Sequence, residues 1–532
     1  MNSSEPKPET EYKVGQRVHY SGDTRRIGTV KYVGEVDGHS GKWVGVDWDN
    51  GGGKHDGSLN GISYFEASST NSGSFVRARN LCSGISLLDG LLLRYRGKTT
   101  QEEEDEMYVL SASKQKVSIQ LVGKDKIQNK LSHFEELTSA SVAFLGVSSA
   151  GPPSQIGQVA PNLKELDLTG NLMSDWKDVA AICQELPALT ALNLTNNNMA
   201  QDVTGLPILA NIRVLVLNYT GVKWTQIEGL KQSLPSLDEL HLMRNKISEI
   251  TPTSSGNVQG FDSLRVLNLE DNCISEWNEI VKLSELPKLE QLHLNKNNLS
   301  QVFYPSDNST HTSCSSVAFQ HLRCILLGGN NITDVESVDS LNSFPSLTEV
   351  RLSENPIADP GCGGVPRFVL IARLAKVEVL NGSEVSHRER KESEIRYVRL
   401  VMSKSHASQE EIKRCHPRFF ELRSLHGLEE ERPSNSGAGP QKMSSGLLTI
   451  TLKCVGASMG EKAPLTKKLP ATTTVGKLKI LSESFFKLKS AKLKLFLEEE
   501  GSPLPILLAN EMDSLFDAGV CNDSTILIDE ES

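Results

Sequence analysis

The chain has 532 residues and a formal net charge of −10, from 56 basic and 66 acidic side chains. That length is too great for one hydrophobic core and predicts about three or four domains. The acidic balance argues against nucleic acid as a general partner, because phosphate binding needs clustered positive charge. No run approaches the roughly 18 apolar residues that span a bilayer, and Met1 to Lys13 is polar and charged with no apolar centre for export. No membrane contact is expected, and the chain reads as soluble and cytosolic. The nine cysteines include no Cys-x-x-Cys pair, which fits neither a disulfide framework nor a zinc site and predicts reduced thiols.

The first predicted module covers residues 10–85. Short runs rich in valine and tryptophan, such as Lys42 to Trp48, read as strands. Within it lies the run Gly53, Lys54, His55, Asp56, Gly57. Two glycines allow backbone angles closed to other residues and let a ligand chain come close to the main chain. Lys54 places a cation between them, and Trp43, Trp48, Tyr64, Phe65 and Phe75 surround the loop. This reads as a receptor for a peptide carboxylate; the simpler alternative is a plain hairpin turn. Gly38, His39, Ser40, Gly41, Lys42 looks superficially like a phosphate loop, but its spacing is wrong and Trp43 stands where the metal-binding hydroxyl belongs.

Val14 to Val18, Gly28 to Val30 and Trp43 to Asp49, together with the glycine-bounded loop, resemble the CAP-Gly domain. The resemblance implies a groove for the acidic, aromatic-ending carboxyl terminus of α-tubulin and similar tails. By motif position the ligand-binding residues would be Trp43, Trp48, Lys54, His55, Phe75 and Arg77, with Gly53 and Gly57 as loop glycines. His55 stands where the family carries asparagine, which brings a group titrating near pH 6 to 7 into the loop.

Residues 86–130 read as a linker and the start of a cap for the next module. The acidic run Glu102 to Glu106 reads as an exposed loop, and two β-like runs, Lys116 to Val122 and Ser141 to Val147, as cap strands. The span 131–400 repeats itself. Leu163, Leu166, Leu168, Asn171 recurs as Leu189, Leu192, Leu194, Asn197; Leu237, Leu240, Leu242, Asn245; Leu264, Leu267, Leu269, Asn272; Leu289, Leu292, Leu294, Asn297; Leu322, Ile325, Leu327, Asn330; and Leu347, Val350, Leu352, Asn355. A weaker copy, Ile212, Leu215, Leu217, has Thr220 in place of the asparagine. This is the leucine-rich repeat pattern, with Pro305 to Ser316 as a polar insertion.

Each unit supplies a short strand and a returning helix or turn, and the units stack into an α/β solenoid because none buries its leucines alone. The asparagines are expected to bond to backbone inside the turns. Strand alternation directs Asp167, Asn193, Val216, His241, Asn268, His293, Leu326 and Arg351 into the concave face. That mixed row suits a protein surface better than a phosphate, and Asp167, Asn193, His241, Asn268, His293 and Arg351 are its candidate contacts. His241 and His293 lie two strands, roughly 10 Å, apart, too far to share a metal unaided. Arg367 to Ala375, Val377 to Gly382 and the charged stretch His387 to Val401 read as the closing cap.

Residues 401–445 read as a helical, then flexible linker, since Glu429 to Ser445 is rich in Pro, Gly, Ser and charge. The last module, 446–532, begins with a strand over Leu447 to Cys454. A helix with Leu478, Leu481, Phe485 and Phe486 on one face follows over Val475 to Leu488, then strands over Leu493 to Leu497 and Ser524 to Asp529. That order resembles the ubiquitin-like β-grasp, an α+β fold. The sequence ends Asp529, Glu530, Glu531, Ser532 rather than in Gly-Gly, which implies a docking module instead of a conjugated tag.

No nucleotide loop, His-Glu-x-x-His or Gly-x-Ser-x-Gly pattern is present in the sequence, so neither an enzyme, a metal nor a cofactor is expected. The three modules in this order resemble the tubulin-folding cofactor family. The resemblance implies a cytoplasmic, cytoskeleton-associated chaperone that captures α-tubulin and works with cofactors B, C and D to assemble, and take apart, the tubulin heterodimer. Two alternatives stay open: a microtubule-associated CAP-Gly adaptor, and a shuttle whose ubiquitin-like module delivers tubulin to the proteasome.

Overall fold

The computed structural model describes residues 11–96, 108–110, 116–118, 133–253, 256–305, 317–359, 361, 363–404, 408–428, 447–456, 462–487, 493–498, 505–508, 511, 515, 518, 520 and 522–530. The chain divides into two compact units. One comprises Met1–Thr333 and Ser343–Leu347, the other Asp334–Asn342 and Thr348–Ser532.

The first unit opens with a five-stranded antiparallel sheet. Its strands follow the order Gly73–Val76, His39–Trp48, Asp23–Val36, Arg17–Tyr20 and Leu81–Cys82. The two long strands are joined at Asp37 and Gly38, where Gly38 takes φ +76, the positive-φ turn chemistry that matches strand twist. Val18, Val30, Val44, Val46 and Trp48 pack one face into a core. Arg17, only 4% exposed, is paired with Asp49 and donates to Thr29 Oγ1 at 2.8 Å, so its buried charge is matched.

After this module the sequence predicts a linker and the start of a cap, and the first residues of that span pack onto the solenoid. Ile85–Ser86 pairs in parallel with Val147–Ser149, and helix Leu87–Tyr95 follows, N-capped by the Ser86 hydroxyl, which accepts the Asp89 amide proton at 3.1 Å. The helix buries Leu87 and Leu91, and Tyr95 Oη accepts from the Ser141 amide at 2.8 Å. These contacts make 85–96 part of the solenoid's first layer. Ser141 to Val147 is likewise not one strand: Ser139–Ser141 and Val147–Ser149 flank a turn at Phe144, where φ is +59. Tyr108–Leu110 pairs with Lys116–Ser118; Glu102 to Glu106 lies outside the described residues.

The solenoid strands of this unit are Ser139–Ser141, Glu165–Asp167, Ala191–Asn193, Val214–Val216, Glu239–His241, Val266–Asn268, Gln291–His293 and Cys324–Leu326, parallel and in register. Their central residues from Leu166 to Ile325 are at most 2% exposed. After each strand from Glu165–Asp167 to Cys324–Leu326 comes a left-handed residue: Gly170, Asn196, Tyr219, Arg244, Asp271, Lys296 and Gly329, with φ between 53 and 68. The repeat asparagine follows it and works as expected. Asn272 Oδ1 accepts the amides of Asn245 and Ile247 at 2.9 and 3.1 Å, while its Nδ2 donates to Leu242 and Leu269 carbonyls at 3.0 Å. Asn197, Asn297 and Asn330 repeat this bridge between neighbouring rungs. At Thr220 the hydroxyl caps Leu217 O at 2.7 Å, and Asn245 Oδ1 takes the Thr220 and Gly221 amides, each at 2.8 Å. Residues 306–316 of the predicted insertion lie outside the described set.

In the second unit, Glu349–Arg351 pairs in parallel with Val379–Leu380, which turns back through Ser383–Glu384. Helices Arg367–Arg373 and His387–Lys404 form the expected cap, but Gln409–Cys415 and Phe419–Leu425 belong to it too. Phe419 and Leu422 are 3% and 0% exposed in a core with Phe368, Val369, Tyr397 and Val398. Of the helical, then flexible linker expected over 401–445, these two helices pack into the cap; Glu429 to Ser445 lies outside the described residues. The last module is a five-stranded sheet in the order Leu465–Pro470, Leu447–Cys454, Ser524–Glu530, Leu493–Glu498, Ile506–Leu507. Its central pair is parallel, and helix Val475–Phe486 packs Leu478 against Ile450, Leu452, Leu495 and Ile526. Among the described residues no helix is long and apolar enough to cross a membrane.

Candidate functional site

The glycine-bounded loop is held against the edge of the first sheet by its backbone. Lys54 and His55 amides donate to Gly73 O at 2.7 and 3.2 Å, and Gly73 returns its own amide to His55 O at 2.8 Å. A side chain at Gly53 would lie 2.4 Å from Ser72 C and 2.5 Å from Gly73 O. Gly57 has φ +102, and a Cβ there would sit 2.0 Å from Phe65 O. Both positions therefore require glycine. With its backbone fixed, the loop leaves the Lys54 side chain exposed and without an ion-pair partner among the described residues.

His55 turns the other way. Its Nδ1 accepts the Gly57 amide proton at 3.0 Å, which makes Nε2 the protonated, donating nitrogen of the neutral ring. The ring lies 4.9 Å from Phe75, tilted by 32°. Burial pulls the imidazole below its ordinary value; Asp56 opposes this and Lys54 reinforces it. Asp56 itself is held low by the Ser58 hydroxyl and amide.

Around Phe75 the rings interlock edge to face. Tyr64, Phe65 and Tyr32 stand 5.3, 5.6 and 6.2 Å away. Tyr32 and Tyr64 are tied at their hydroxyls, Tyr32 donating to Glu35 O at 2.6 Å and Tyr64 accepting from the Asp37 amide at 2.9 Å. Gly45 lies beneath them, since a Cβ there would meet Phe65 at 2.5 Å and Tyr32 at 2.9 Å. The result is a rigid, half-exposed aromatic floor beside the Lys54 cation, suited to an extended anionic chain with an aromatic end.

The structure sorts the sequence-derived residues into different roles. Lys54, His55 and Phe75 come together. Arg77 stacks its guanidinium 3.7 Å over Trp43 and donates to Ser40 O and Lys42 O at 2.7 and 3.1 Å, so it braces the strand end with Trp43. Trp48 is 2% exposed in the core and cannot meet a ligand: five residues from Trp43 on one strand, it faces the opposite side. Sequence reasoning misses Tyr32 as a site residue; a register shift between Val30 and Tyr32 breaks the alternation that would have placed it.

On the solenoid, Asp167, Asn193, His241, Asn268 and His293 occupy one row of equivalent strand positions, with Val216 between Asn193 and His241. Three of them are occupied with their own backbone: Asp167, Asn193 and Asn268 accept the amides of Thr169, Thr195 and Glu270 at 2.8 to 2.9 Å, which leaves them fewer acceptors for a partner. His241 Nε2 lies 3.4 Å from Glu239 Oε2. Arg351, in the second unit, donates from Nε to Ser353 Oγ at 2.9 Å.

Comparison with known proteins agrees with this division. The CAP-Gly domain family matches residues 14–81, and leucine-rich repeat families match 235–299 and 345–364. A curated Arabidopsis thaliana protein named tubulin-folding cofactor E is 62% identical over 98% of this chain and 98% of its own length. A Xenopus laevis tubulin-specific chaperone E is 31% identical, covering 94% of this chain and 96% of itself. Residues amounting to 18% of this chain match 96% of a solution structure of the carboxyl-terminal ubiquitin-like domain of mouse tubulin-specific chaperone e, at 30% identity and TM-score 0.16.

Proposed function

The chain belongs to the tubulin-folding cofactor E family, and from that premise we propose that it is a tubulin chaperone that captures α-tubulin. The groove of the first module holds the acidic tail of that subunit, and the strand face of the solenoid meets its folded body. The observation that carries the reading is Lys54. It is an exposed cation without an ion-pair partner among the described residues, held by a loop that tolerates no side chain at Gly53 or Gly57 and set beside the Phe75 cluster. A tail carboxylate would take Lys54 and the Nε2 proton of His55, and its aromatic end the floor of Tyr32, Tyr64 and Phe75.

Two weak contacts on one partner raise effective concentration, so neither site needs high affinity alone. Acting with cofactors B, C and D, such a capture would serve assembly and disassembly of the heterodimer in the cytoplasm, with the ubiquitin-like module as a docking element for the proteasome or another partner. None of this requires a catalytic group.

The test is Lys54→Ala in the full chain, titrated with an α-tubulin tail peptide. Affinity should fall about tenfold, with unchanged unfolding, while native mass spectrometry with tubulin heterodimer shows the wild type retaining α-tubulin. Equal peptide affinity in the variant would sink the groove reading. Retention of intact heterodimer, with polymer decorated instead of shortened, would favour a microtubule adaptor.

A further inference from the structure

Between helices Arg367–Arg373, His387–Lys404 and Gln409–Cys415 the closing cap leaves a cavity of about 550 Å³. Packed cores hold few voids larger than a water molecule, and this volume lies in the range of sites for small organic ligands. The walls are aliphatic: Val335, Val365, Val369, Leu400, Val401 and Ile412. Val365, Leu400 and Ile412 pack on the cap core yet stay only partly buried, so apolar surface is left for another molecule to cover.

The polar groups of the cavity form one connected cluster. Arg373 and Tyr397 are 3% and 1% exposed. Arg373 Nη1 lies 2.5 Å from Asp339 Oδ2, and Nη2 donates to Cys415 O at 2.7 Å and to His416 Nδ1 at 3.2 Å. The Tyr397 hydroxyl reaches the same Nδ1 at 2.8 Å. A guanidinium can only donate, so Nδ1 is the acceptor and the neutral ring carries its proton on Nε2. Burial, then Arg373, pulls His416 below its ordinary value, and burial pushes the Tyr397 hydroxyl up to about 12, which keeps the ring neutral and the hydroxyl protonated at pH 7. Two donors of the lining are left without an acceptor among the described residues: the His416 Nε2–H and the buried Arg373 Nε–H. A buried donor in that state is costly. Asp339 Oδ1 is also unpartnered, but Asp339 does not line the cavity.

We propose that this cavity binds a small amphipathic molecule, an aliphatic chain ending in a carboxylate, with the chain among Val365, Leu400 and Ile412 and the carboxylate at Arg373 and His416. The leftover groups are both donors, and a carboxylate brings two acceptor oxygens, one for each. A peptide strand fits less well. Its own amides and carbonyls would face walls of valine, leucine and isoleucine that offer them no partner. Exposed Glu411 also lines the cavity, and its charge disfavours a carboxylate placed at that side instead of at the buried cluster. The site stands apart from the proposed tubulin contacts and does not rest on them.

The experiment titrates the full chain by calorimetry with dodecanoate, below its micelle concentration, and with dodecyltrimethylammonium, which has the same tail and a cationic head with no acceptor. One saturable site is expected, with dodecanoate bound at least about tenfold more tightly than the cation. Ile412→Trp and Leu400→Trp fill the cavity from half-buried positions and should each weaken dodecanoate binding about tenfold or more without lowering the thermal midpoint. Hydrogen exchange on the wild type gives a reading that needs no variant: dodecanoate should slow exchange in 367–373, 397–401 and 409–416. Absence of saturable dodecanoate binding, equal affinity for the two heads, or undiminished binding in folded variants with the cavity filled would overturn the proposal. Protection confined to other segments, such as 447–530, would overturn it too, since it would mark adsorption to a different apolar surface. Should both tryptophan variants unfold, the exchange pattern of the wild type and the preference between the two heads decide the matter.

Discussion

Substituting Gly57 by alanine separates backbone conformation from steric fit in the groove, because Gly61 provides a matched control. Gly61 has φ +81, and a Cβ there would meet nothing within 4 Å, so Gly61→Ala costs only the left-handed penalty, about 1 kcal/mol. Gly57→Ala carries the same penalty and more. Its Cβ would sit 2.0 Å from Phe65 O and 2.7 Å from Phe65 C, backbone atoms that cannot rotate away. The hairpin between them must open, which breaks the 3.1 Å bond from the Tyr64 amide to Gly57 O, a loss of about 1 kcal/mol. It also lifts Phe65, now 9% exposed, partly out of the aromatic floor, for about 1 to 2 kcal/mol more. The sum is about 3 to 4 kcal/mol. Hydrogen exchange over residues 14–81 of the full chain reads this directly as local opening. At about 1.4 kcal/mol per decade, exchange should accelerate roughly fivefold in Gly61→Ala and a hundredfold or more in Gly57→Ala, which should also lose tail-peptide binding. Equal acceleration in the two variants would refute the close-approach argument.

The Asn245→Ala variant removes the acceptor of the Thr220 and Gly221 amides. Leu217 O keeps the Thr220 hydroxyl and Leu242 O keeps Asn272, so the main orphan is the Thr220 amide, in a residue that is 1% exposed. A loss of about 3 kcal/mol is expected, read as the denaturant midpoint of the solenoid; a change below about 0.5 kcal/mol would contradict the ladder reading. His55 predicts an acid-sensitive first module. Its folded value lies below the ordinary 6.5, so the unfolded chain takes up the proton first; this contribution to stability is complete above about pH 6.5 and is lost as pH falls below it towards the folded value. Denaturation midpoints at pH 7.5 and 5.5 should differ more in the wild type than in His55→Asn, and an identical difference in both would exclude His55 as the source.

Much of this is legible because the sequence states it locally. The rungs can be counted from Leu166 to Ile325 since each central residue is repeated at the same offset from its asparagine, and even Thr220 fits once Asn245 is seen to serve two rungs. The groove loop is legible for the same reason: glycines at 53 and 57 are required by contacts within a few residues of the loop or across one sheet edge. Motif position misassigns Trp48 although alternation on a strand places it opposite Trp43, and Tyr32 escapes notice because the register shift beside it is set by pairing, which no local pattern records. The packing of helices Gln409–Cys415 and Phe419–Leu425 into the cap, as opposed to their helical character, is hidden by composition: Ile412, Phe419 and Leu422 are too sparse among charged residues to signal a core that depends on Arg367–Arg373 and His387–Lys404 for its other half. Asp167, Asn193 and Asn268 stand at the expected strand positions, yet their oxygens turn to amides two residues on, the local competition that short polar side chains enter, and Asn268 is buried.

The junction after the first module bears on how two contacts could act together. A long flexible connection between groove and solenoid would lower the effective concentration of one site at the other as its length grew. Instead Ile85–Ser86 pairs with Val147–Ser149, Gly146 lies so close to His19 that a Cβ would meet its ring at 2.8 Å, and Arg25 covers Phe144. Groove and solenoid thus belong to one compact unit, and a partner that engages both would not have to order a linker first. Loosening this seam, by Gly146→Val for example, should leave tail-peptide affinity intact while lowering affinity for whole tubulin towards that of the stronger single site. If affinity for whole tubulin is unaffected although exchange at 85–96 shows the seam open, the two contacts do not depend on a fixed geometry.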